Sequence, residues 1–125
     1  TDIAGSSAIL DGGFVTYSNH AKLTMLGVQA GSIARFGAVS EDVAKEMAKG
    51  ALARSKAQIA VAVTGIAGPG ASDHKPEGRV CFGLACDGSD LHCETVEFGA
   101  LGWEKVREAA RDHALALVLR ALERI

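Results

Sequence analysis

The sequence lacks the features that mark several classes of protein. It has no apolar run near the roughly 20 residues that a membrane-spanning helix needs. Its 13 basic and 15 acidic residues give a net charge of −2, so no positive excess indicates a nucleic acid or an anionic membrane as partner. Three cysteines are an odd number and too few for a disulfide scaffold, which fits a reducing, cytoplasmic compartment.

The composition is that of an ordinary folded domain. Apolar residues make up 48% of the 125 positions and charged residues 22%, which excludes disorder and suffices for one hydrophobic core. Residues 1–125 are therefore predicted to form a single domain. Glycine is the one enriched type, with 15 residues against two prolines, and it indicates places where the backbone turns sharply or approaches another group.

Strand-like and helix-like segments alternate along the chain, which predicts an α/β fold. Residues 59–63 are a continuous apolar run, typical of a central strand that is covered on both faces. We expect a three-layer sandwich with a largely parallel sheet and helices on both faces, in which the usual first strand and helix are absent from this sequence. Further predicted elements are strands at 13–18, 79–86 and 91–98 and helices at 20–26, 40–55 and 103–124.

A glycine-rich segment follows the apolar strand. Thr64 supplies a hydroxyl where that strand ends, and Gly65, Ala67, Gly68 and Gly70 come directly after it. Ligands of open α/β sheets bind beyond the carboxyl ends of strands, and bare backbone N–H groups suit an anion. The spacing matches neither the dinucleotide fingerprint nor the P-loop. The residues alone leave two interpretations open, a binding loop or a tight turn that needs glycine.

Tyr17 and Lys22 form a second candidate group. Tyr17 closes a predicted strand and Lys22 lies in the first turns of the next helix, so both could project at the same edge of the sheet. A lysine in a dry cleft can lose its proton and act as the base for a serine. The alternative is a solvated lysine beside an amphipathic tyrosine at the rim of the core.

No metal site is indicated by the cysteines and histidines. Cys81, Cys86 and Cys93 form no CxxC pair, and strand alternation puts the first two on opposite faces of the sheet. The four histidines are scattered without the spacing of ligands. We therefore interpret the cysteines as small core residues.

Five strings of the sequence form a recognisable set. They are residues 13–22, 26–28, 37–44, 63–70 and 75–78, and they include TYSN-x-x-K and TGIAGPG, whose combination is specific. In this order, and over nearly the whole chain, they resemble the carboxy-terminal domain of the competence/damage-inducible CinA family, whose stand-alone members are nicotinamide-nucleotide amidases.

The resemblance implies hydrolysis of nicotinamide mononucleotide to nicotinate mononucleotide and ammonia, without a metal or another cofactor. It makes Lys22 the proton acceptor for a serine nucleophile and Tyr17 the group that positions or relays that proton. The substrate-binding positions that it implies are Ser7, Thr64, Gly65, Ala67, Gly68 and Gly70. The expected partners are this small nucleotide and further copies of the chain in a homo-oligomer.

The sequence departs from the family at the nucleophile. The family's serine lies in a Glu-Ser-Cys-Thr-Gly-Gly string that is absent here, and residues 1–7 resemble the family's segment just after that string and its helix. We therefore expect the nucleophile upstream of Thr1. Smaller departures fall at Ala71, where a glycine is common, and at Glu77, where a small apolar residue is common. The alternative function is a non-catalytic module that binds a nucleotide or phosphate or assembles with other domains.

Overall fold

The computed structural model describes residues 3–69 and 75–124. These residues form a 3-10 turn (Ser6–Ala8), helices α1 (Asn19–Leu26), α2 (Ala30–Phe36) and α3 (Glu41–Ala53), strands β1 (Ile59–Gly65), β2 (Arg79–Cys86) and β3 (His92–Glu97), and helix α4 (Trp103–Glu123). The predicted mixed α/β class is confirmed. None of the helices in these two ranges has both the length and the apolar character that crossing a membrane requires.

The described strands form one antiparallel sheet in the order β1-β2-β3. The prediction of a largely parallel sheet is therefore wrong for these strands. Only residues 87–91 connect β2 to β3, which is too short for the crossover that parallel neighbours need. Within the described part, β2 rather than β1 is the central strand. It is apolar along its length because helices cover both of its faces, a pattern that does not by itself reveal strand direction.

Helices α3 and α4 pack on opposite faces of the sheet. Successive residues of β2 point to opposite faces, so alternate side chains of this strand contact each helix. The cluster under α3 includes Val43, Met47, Ala48, Ala62 and Ala85. The cluster under α4 includes Val80, Phe82, Val106, Ala110 and Leu117. Leu122 is 49% exposed because it lies on the side of α4 that faces away from the sheet.

Two glycines allow main chain to pack directly on main chain. A Cβ atom at Gly83 in β2 would overlap the carbonyl of Ala44 in α3. A Cβ atom at Gly50 in α3 would overlap the carbonyl of Leu26 at the end of α1. The two contacts hold α3 close to the sheet on one side and α1 close to α3 on the other.

The helix boundaries follow the capping residues. The hydroxyl of Ser40 accepts from the N–H of Val43 at 3.2 Å, which confirms the predicted start of α3. Ser18 caps α1, because its hydroxyl accepts from the N–H of Ala21 at 3.0 Å, and the helix begins one residue before the predicted position 20. Gly27 ends α1 in the left-handed conformation with φ of 71°, as predicted.

Residues 13–18 do not form the predicted strand. Their composition favours extended backbone, yet a strand also needs a neighbour for its hydrogen-bond ladder, and none of the described strands pairs with this segment. Val15 is accordingly 86% exposed. The segment instead leads directly into α1.

Glu94 of β3 links the sheet to α4. Its carboxylate lies 2.7 Å from Nε2 of His92 through Oε1 and 2.5 Å from Nε2 of His113 through Oε2. The ring of His113 also packs on Phe82, with 4.5 Å between the ring centroids. This polar contact therefore sits at the edge of the cluster under α4.

We expect Glu94→Gln to lower the free energy of unfolding by about 1 kcal/mol at neutral pH. The hydrogen bond from His92, and then that from His113, lowers the pKa of Glu94 below its ordinary value of 4.5, although burial opposes the shift. Because the pKa is lower in the folded state, this stabilisation is complete above the ordinary value and is lost as the pH falls through the folded-state pKa.

Urea unfolding of the parent and of Glu94→Gln, from neutral pH down to about pH 3, measures this difference. Exposed Glu108 on α4 provides the control variant Glu108→Gln. A gap between parent and Glu94→Gln that does not narrow on acidification contradicts the prediction.

Candidate functional site

Lys22 carries a buried amine. The residue is 6% exposed, and its Nζ donates to the backbone carbonyl of Thr16 at 2.7 Å and to that of Tyr17 at 3.4 Å. Removal from water lowers the pKa of the Lys22 amine below its ordinary value of 10.5. The solvated-lysine alternative is therefore wrong. A neutral amine that gives two N–H groups to carbonyls keeps its lone pair, which can accept a proton from a hydroxyl.

The local fold explains how the amine reaches these carbonyls. Ser18 caps α1 and turns the chain from the extended segment into the helix, so Lys22 lies in the first turn and faces back along the chain. Its side chain folds over the end of the extended segment that bears Thr16, a residue that is 8% exposed. The arrangement depends on a sharp change of direction at residue 18.

The main chain of Tyr17 contacts the Lys22 amine, but the phenol of Tyr17 does not. The residue is 96% exposed, and only its carbonyl accepts from the Lys22 amine. No hydrogen bond joins the phenol to the amine within residues 3–69 and 75–124. The structure thus brings Tyr17 and Lys22 together through the main-chain carbonyl of Tyr17 and not through its side chain.

Thr64 and Gly65 are held within the fold. Thr64 is 7% exposed, and its hydroxyl donates to the carbonyl of Ala38 at 2.8 Å. Gly65 ends β1 opposite Val80, and a Cβ atom there would lie 2.8 Å from Cγ2 of that valine. Close packing therefore accounts for the glycine at position 65.

The next residues, Ala67 and Gly68, are half-buried in the segment that follows β1. Ala67 packs its methyl group against the cluster under α4, while a Cβ atom at Gly68 would make only an ordinary 3.5 Å contact with Trp103. In the part of the chain that is described, the N–H groups of Ala67 and Gly68 have no acceptor. Two adjacent unpaired N–H groups suit an anion. Gly70 lies outside the described residues.

Ser7 is exposed in the 3-10 turn near the start of the chain. Among the described residues, no hydrogen bond joins it to Lys22 or Thr64. The sequence places Ser7 in the candidate site by resemblance alone.

The turn between α2 and α3 is a feature that sequence reasoning missed. We call residues 36–39 the carbonyl turn, because each of its four carbonyls accepts a hydrogen bond from a side chain. The bonds run from Lys75 Nζ to Phe36 and Val39 (2.7 and 2.5 Å), from Ser40 Oγ to Gly37 (2.8 Å) and from Thr64 Oγ1 to Ala38 (2.8 Å). A lysine directly before a proline in the glycine-rich region is the only signal in the sequence.

An open cleft of about 450 Å³ lies beside the carbonyl turn at the start of α3. Lys75 and Arg79 line it together with the carboxylates of Glu41 and Glu97. None of the residues predicted for catalysis or substrate binding is in its described lining. Charges of both signs face this cleft, so it does not select an anion.

Residues 3–69 and 75–124 contain no candidate metal-binding site. There, no group of three histidine, cysteine, aspartate or glutamate side chains is arranged to hold an ion. Cys81, Cys86 and Cys93 are all unpaired thiols, and Cys81 is 2% exposed.

Comparison with known sequences gives a family for this chain. Residues 1–122 match the CinA C-terminal domain. The nicotinamide-nucleotide amidohydrolase PncC of Shigella flexneri is 46% identical over 98% of this chain and 72% of its own length. A putative competence-damage inducible protein of Symbiobacterium thermophilum is 48% identical over 98% of this chain. The chain spans only 30% of the length of that relative.

Solved structures agree with this assignment. The competence/damage inducible protein CihA from Agrobacterium tumefaciens superposes with a TM-score of 0.91 at 45% identity, over 94% of this chain and 72% of that one. The competence damage-inducible protein A of Klebsiella pneumoniae gives a TM-score of 0.90 at 38% identity, over 97% of this chain and 74% of that one. The resemblance noted in the sequence is confirmed, and the chain belongs to the CinA C-terminal domain family.

Proposed function

We propose that the full-length protein hydrolyses the carboxamide of nicotinamide mononucleotide to give nicotinate mononucleotide and ammonia. The observation that supports this most is the buried amine of Lys22, whose pKa is lowered by its removal from water. An amine in that state is a base of the kind that amide hydrolysis needs. The 46% identity to a nicotinamide-nucleotide amidohydrolase supports the choice of substrate.

The proposed reaction proceeds in two halves. A serine hydroxyl upstream of Thr1 attacks the carboxamide carbon and passes its proton to neutral Lys22. The tetrahedral intermediate then expels ammonia, which takes the proton back from Lys22 as it leaves, so that Lys22 is neutral again and an ester to the serine remains. Water attacks that ester by the same proton route, releasing nicotinate mononucleotide and restoring the hydroxyl. No redox step occurs, and one water molecule is consumed for each ammonia released.

The other residues in the proposed site bind the substrate or support the residues that bind it. The N–H groups of Ala67 and Gly68, which have no acceptor among the described residues, are donors for the substrate phosphate or for the oxyanion of the intermediate. Thr64 gives its hydroxyl proton to Ala38, so it can meet substrate only as an acceptor. Gly65 supports the segment through its close contact with Val80, and Gly70 and Ser7 complete the proposed binding set by resemblance.

The direct test is ammonia release from nicotinamide mononucleotide by the full-length gene product, with nicotinate mononucleotide identified as the second product. Binding of the nucleotide is measured in parallel by calorimetry. Stoichiometric ammonia and acid support the proposal. Binding without release of ammonia would instead favour the alternative, a non-catalytic module that binds a nucleotide or phosphate.

Tyr17→Phe tests the role of the phenol separately from the fold. Because Tyr17 is 96% exposed, removal of its hydroxyl is expected to leave the free energy of unfolding unchanged within about 0.5 kcal/mol. If the phenol positions or relays the proton, kcat for ammonia release falls by at least about tenfold. Steady-state kinetics and thermal unfolding of the same preparation measure both quantities. An unchanged kcat removes Tyr17 from the mechanism.

A further inference from the structure

A small cleft lies between β3 and the carboxyl-terminal end of α4. Its volume is about 90 Å³, and its floor is apolar because Leu84, Leu117 and Ala121 are buried there. The other end of α4 belongs to a different region, since Trp103 lies beside Gly68. With a rise of about 1.5 Å per residue, the helix separates its two ends by about 25 Å, so the cleft is remote from Gly68.

The rim of this cleft carries more positive than negative charge. The guanidinium groups of Arg120 and Arg124 line it, and neither has an ion-pair partner within residues 3–69 and 75–124. The carboxylate in the described lining is that of Glu94. Both of its oxygens are already hydrogen-bonded, one to His92 at 2.7 Å and the other to His113 at 2.5 Å. The two guanidinium groups therefore face one carboxylate that is committed to other partners.

The spacing of the two arginines has a cost unless an anion lies between them. Cations at the end of a helix are favourable because of the helix dipole, so position alone accounts for the sign of the charge. Arg120 and Arg124 are four residues apart, however, and therefore lie on the same side of the helix. Like charges at this spacing destabilise a helix. An anion held by both guanidinium groups removes that repulsion.

The size and chemistry of the cleft indicate which anion it takes. The planar fork of a guanidinium matches the oxygens of a phosphate, and two such forks can hold one group from two sides. A volume of about 90 Å³ has room for a phosphate group, whereas cavities that enclose drug-sized ligands begin at roughly 300 Å³. The larger cleft at the start of α3 differs, because carboxylates outnumber cations in its described lining.

We propose that Arg120 and Arg124 bind a phosphate group in the cleft between β3 and the end of α4. The group belongs either to inorganic phosphate or to a small phosphate monoester whose remaining atoms lie outside the cleft. Both ligands present the same tetrahedral oxyanion to the two guanidinium groups. The site is a binding site only, and none of the residues assigned to amide hydrolysis contributes to it.

The experiment titrates the ¹⁵N-labelled full-length gene product with inorganic phosphate at constant ionic strength. Nuclear magnetic resonance follows the Nε–H signals of both arginines and the backbone amide of Ala121. The parent is expected to show saturable shifts of these signals. In Arg120→Gln/Arg124→Gln, the Kd from the Ala121 amide is expected to rise at least about tenfold, because charge-assisted hydrogen bonds are lost.

Two further variants separate specific binding from the effect of net charge. Lys45→Gln/Lys49→Gln is the matched control, because it also removes two exposed cations that are four residues apart, on α3. This control is expected to bind phosphate as the parent does. Arg120→Lys/Arg124→Lys keeps the charge but loses the fork, and its Kd is expected to rise by several-fold.

The source of the phosphate is identified by a parallel titration with glycerol 3-phosphate. Tighter binding of the ester than of inorganic phosphate assigns the site to monoesters, and the reverse order assigns it to the free ion. Both results support the proposal. Neither titration uses turnover, so the outcome is independent of whether the protein releases ammonia.

Three results overturn the proposal. The first is that phosphate leaves the signals of Arg120, Arg124 and Ala121 unshifted in the parent. The second is that it shifts only the amides of Ala67 and Gly68, which would place phosphate at the proposed substrate site alone. The third is an equal loss of binding in the lysine control, which would show that only the overall charge attracts the ion.

Discussion

Lys22→Met in the full-length protein is expected to lower kcat for ammonia release about a thousandfold, within the range for loss of a general base. Methionine preserves the length and apolar stem of lysine and removes the amine that faces Thr16 and Tyr17. Ammonia release under saturating nicotinamide mononucleotide measures the effect. Binding of the nucleotide is expected to change much less, because the proposed contacts to substrate lie on the glycine-rich segment.

Lys22→Arg separates base chemistry from hydrogen bonding. Arginine can still donate to the carbonyls of Thr16 and Tyr17, but its guanidinium stays protonated at every accessible pH. We therefore expect Lys22→Arg to fold and to be nearly as inactive as Lys22→Met. Thermal unfolding monitors the fold of both variants. If Lys22→Arg retains most of the parent's kcat, Lys22 is not the proton acceptor.

The pH dependence of the parent depends on the same amine. Burial lowers the pKa of Lys22, so its neutral, basic form is reached at a lower pH than for an exposed lysine. Ammonia release is expected to rise with pH and to level off once the lowered pKa is passed, below the ordinary value of 10.5. A rate that falls with rising pH over the neutral range would contradict a role for neutral Lys22.

Gly83→Ala is expected to lower the free energy of unfolding by about 3 kcal/mol, the upper part of the range for overpacking a core. The new Cβ atom would overlap the carbonyl of Ala44 and would lie 3.0 Å from the N–H nitrogen of Lys45. Both obstacles are main-chain atoms of α3. The helix would have to lift off the sheet, opening the cluster that contains Val43 and Ala85.

Gly31→Ala provides a control, because it is expected to raise the free energy of unfolding where Gly83→Ala lowers it. Gly31 lies in α2, and a Cβ atom there would meet nothing within 4 Å. Alanine is the better helix former, so this variant is expected to gain about 0.5 to 1 kcal/mol. Urea unfolding of Gly83→Ala, Gly31→Ala and the parent measures both changes in the free energy of unfolding. Equal stability of Gly83→Ala and the parent would mean that α3 does not approach β2 as closely as described.

The features that can be predicted from the sequence are local ones. The start of α3 at Ser40 and the end of α1 at Gly27 depend on hydrogen bonds and backbone angles within a few residues. The strand at Arg79–Cys86 is recognisable from its apolar run alone. Each of these depends on neighbours along the chain, which the sequence displays directly.

Strand direction and pairing cannot be predicted in this way. An apolar run shows that a strand is covered on both faces, and this holds for β2 although it is antiparallel to both neighbours. Residues 13–18 have the composition of a strand but gain no partner among the described ones. Pairing depends on where distant segments meet, which composition does not encode.

The candidate site is predictable in its residue types but not in its contacts. The sequence indicates Lys22, while its burial and its two carbonyl partners depend on how α1 folds back on Thr16. Thr64 is expected from the sequence to meet substrate, yet its proton goes to a carbonyl 26 positions earlier in the chain. Residues 36–39, the carbonyl turn, have no polar side chain, so the only trace of the turn in the sequence is its distant partner, the lysine before a proline at position 75.

The contact between Gly50 and Leu26 has a consequence for genetics. The atom that a side chain at position 50 would strike is a main-chain carbonyl, which every amino acid possesses. A smaller residue at position 26 therefore cannot make room for it. In a selection for revertants of a substitution at position 50, we therefore expect stability to return when glycine is restored and not through a second substitution at position 26. A clash between two side chains differs, because a smaller residue at either position can relieve it.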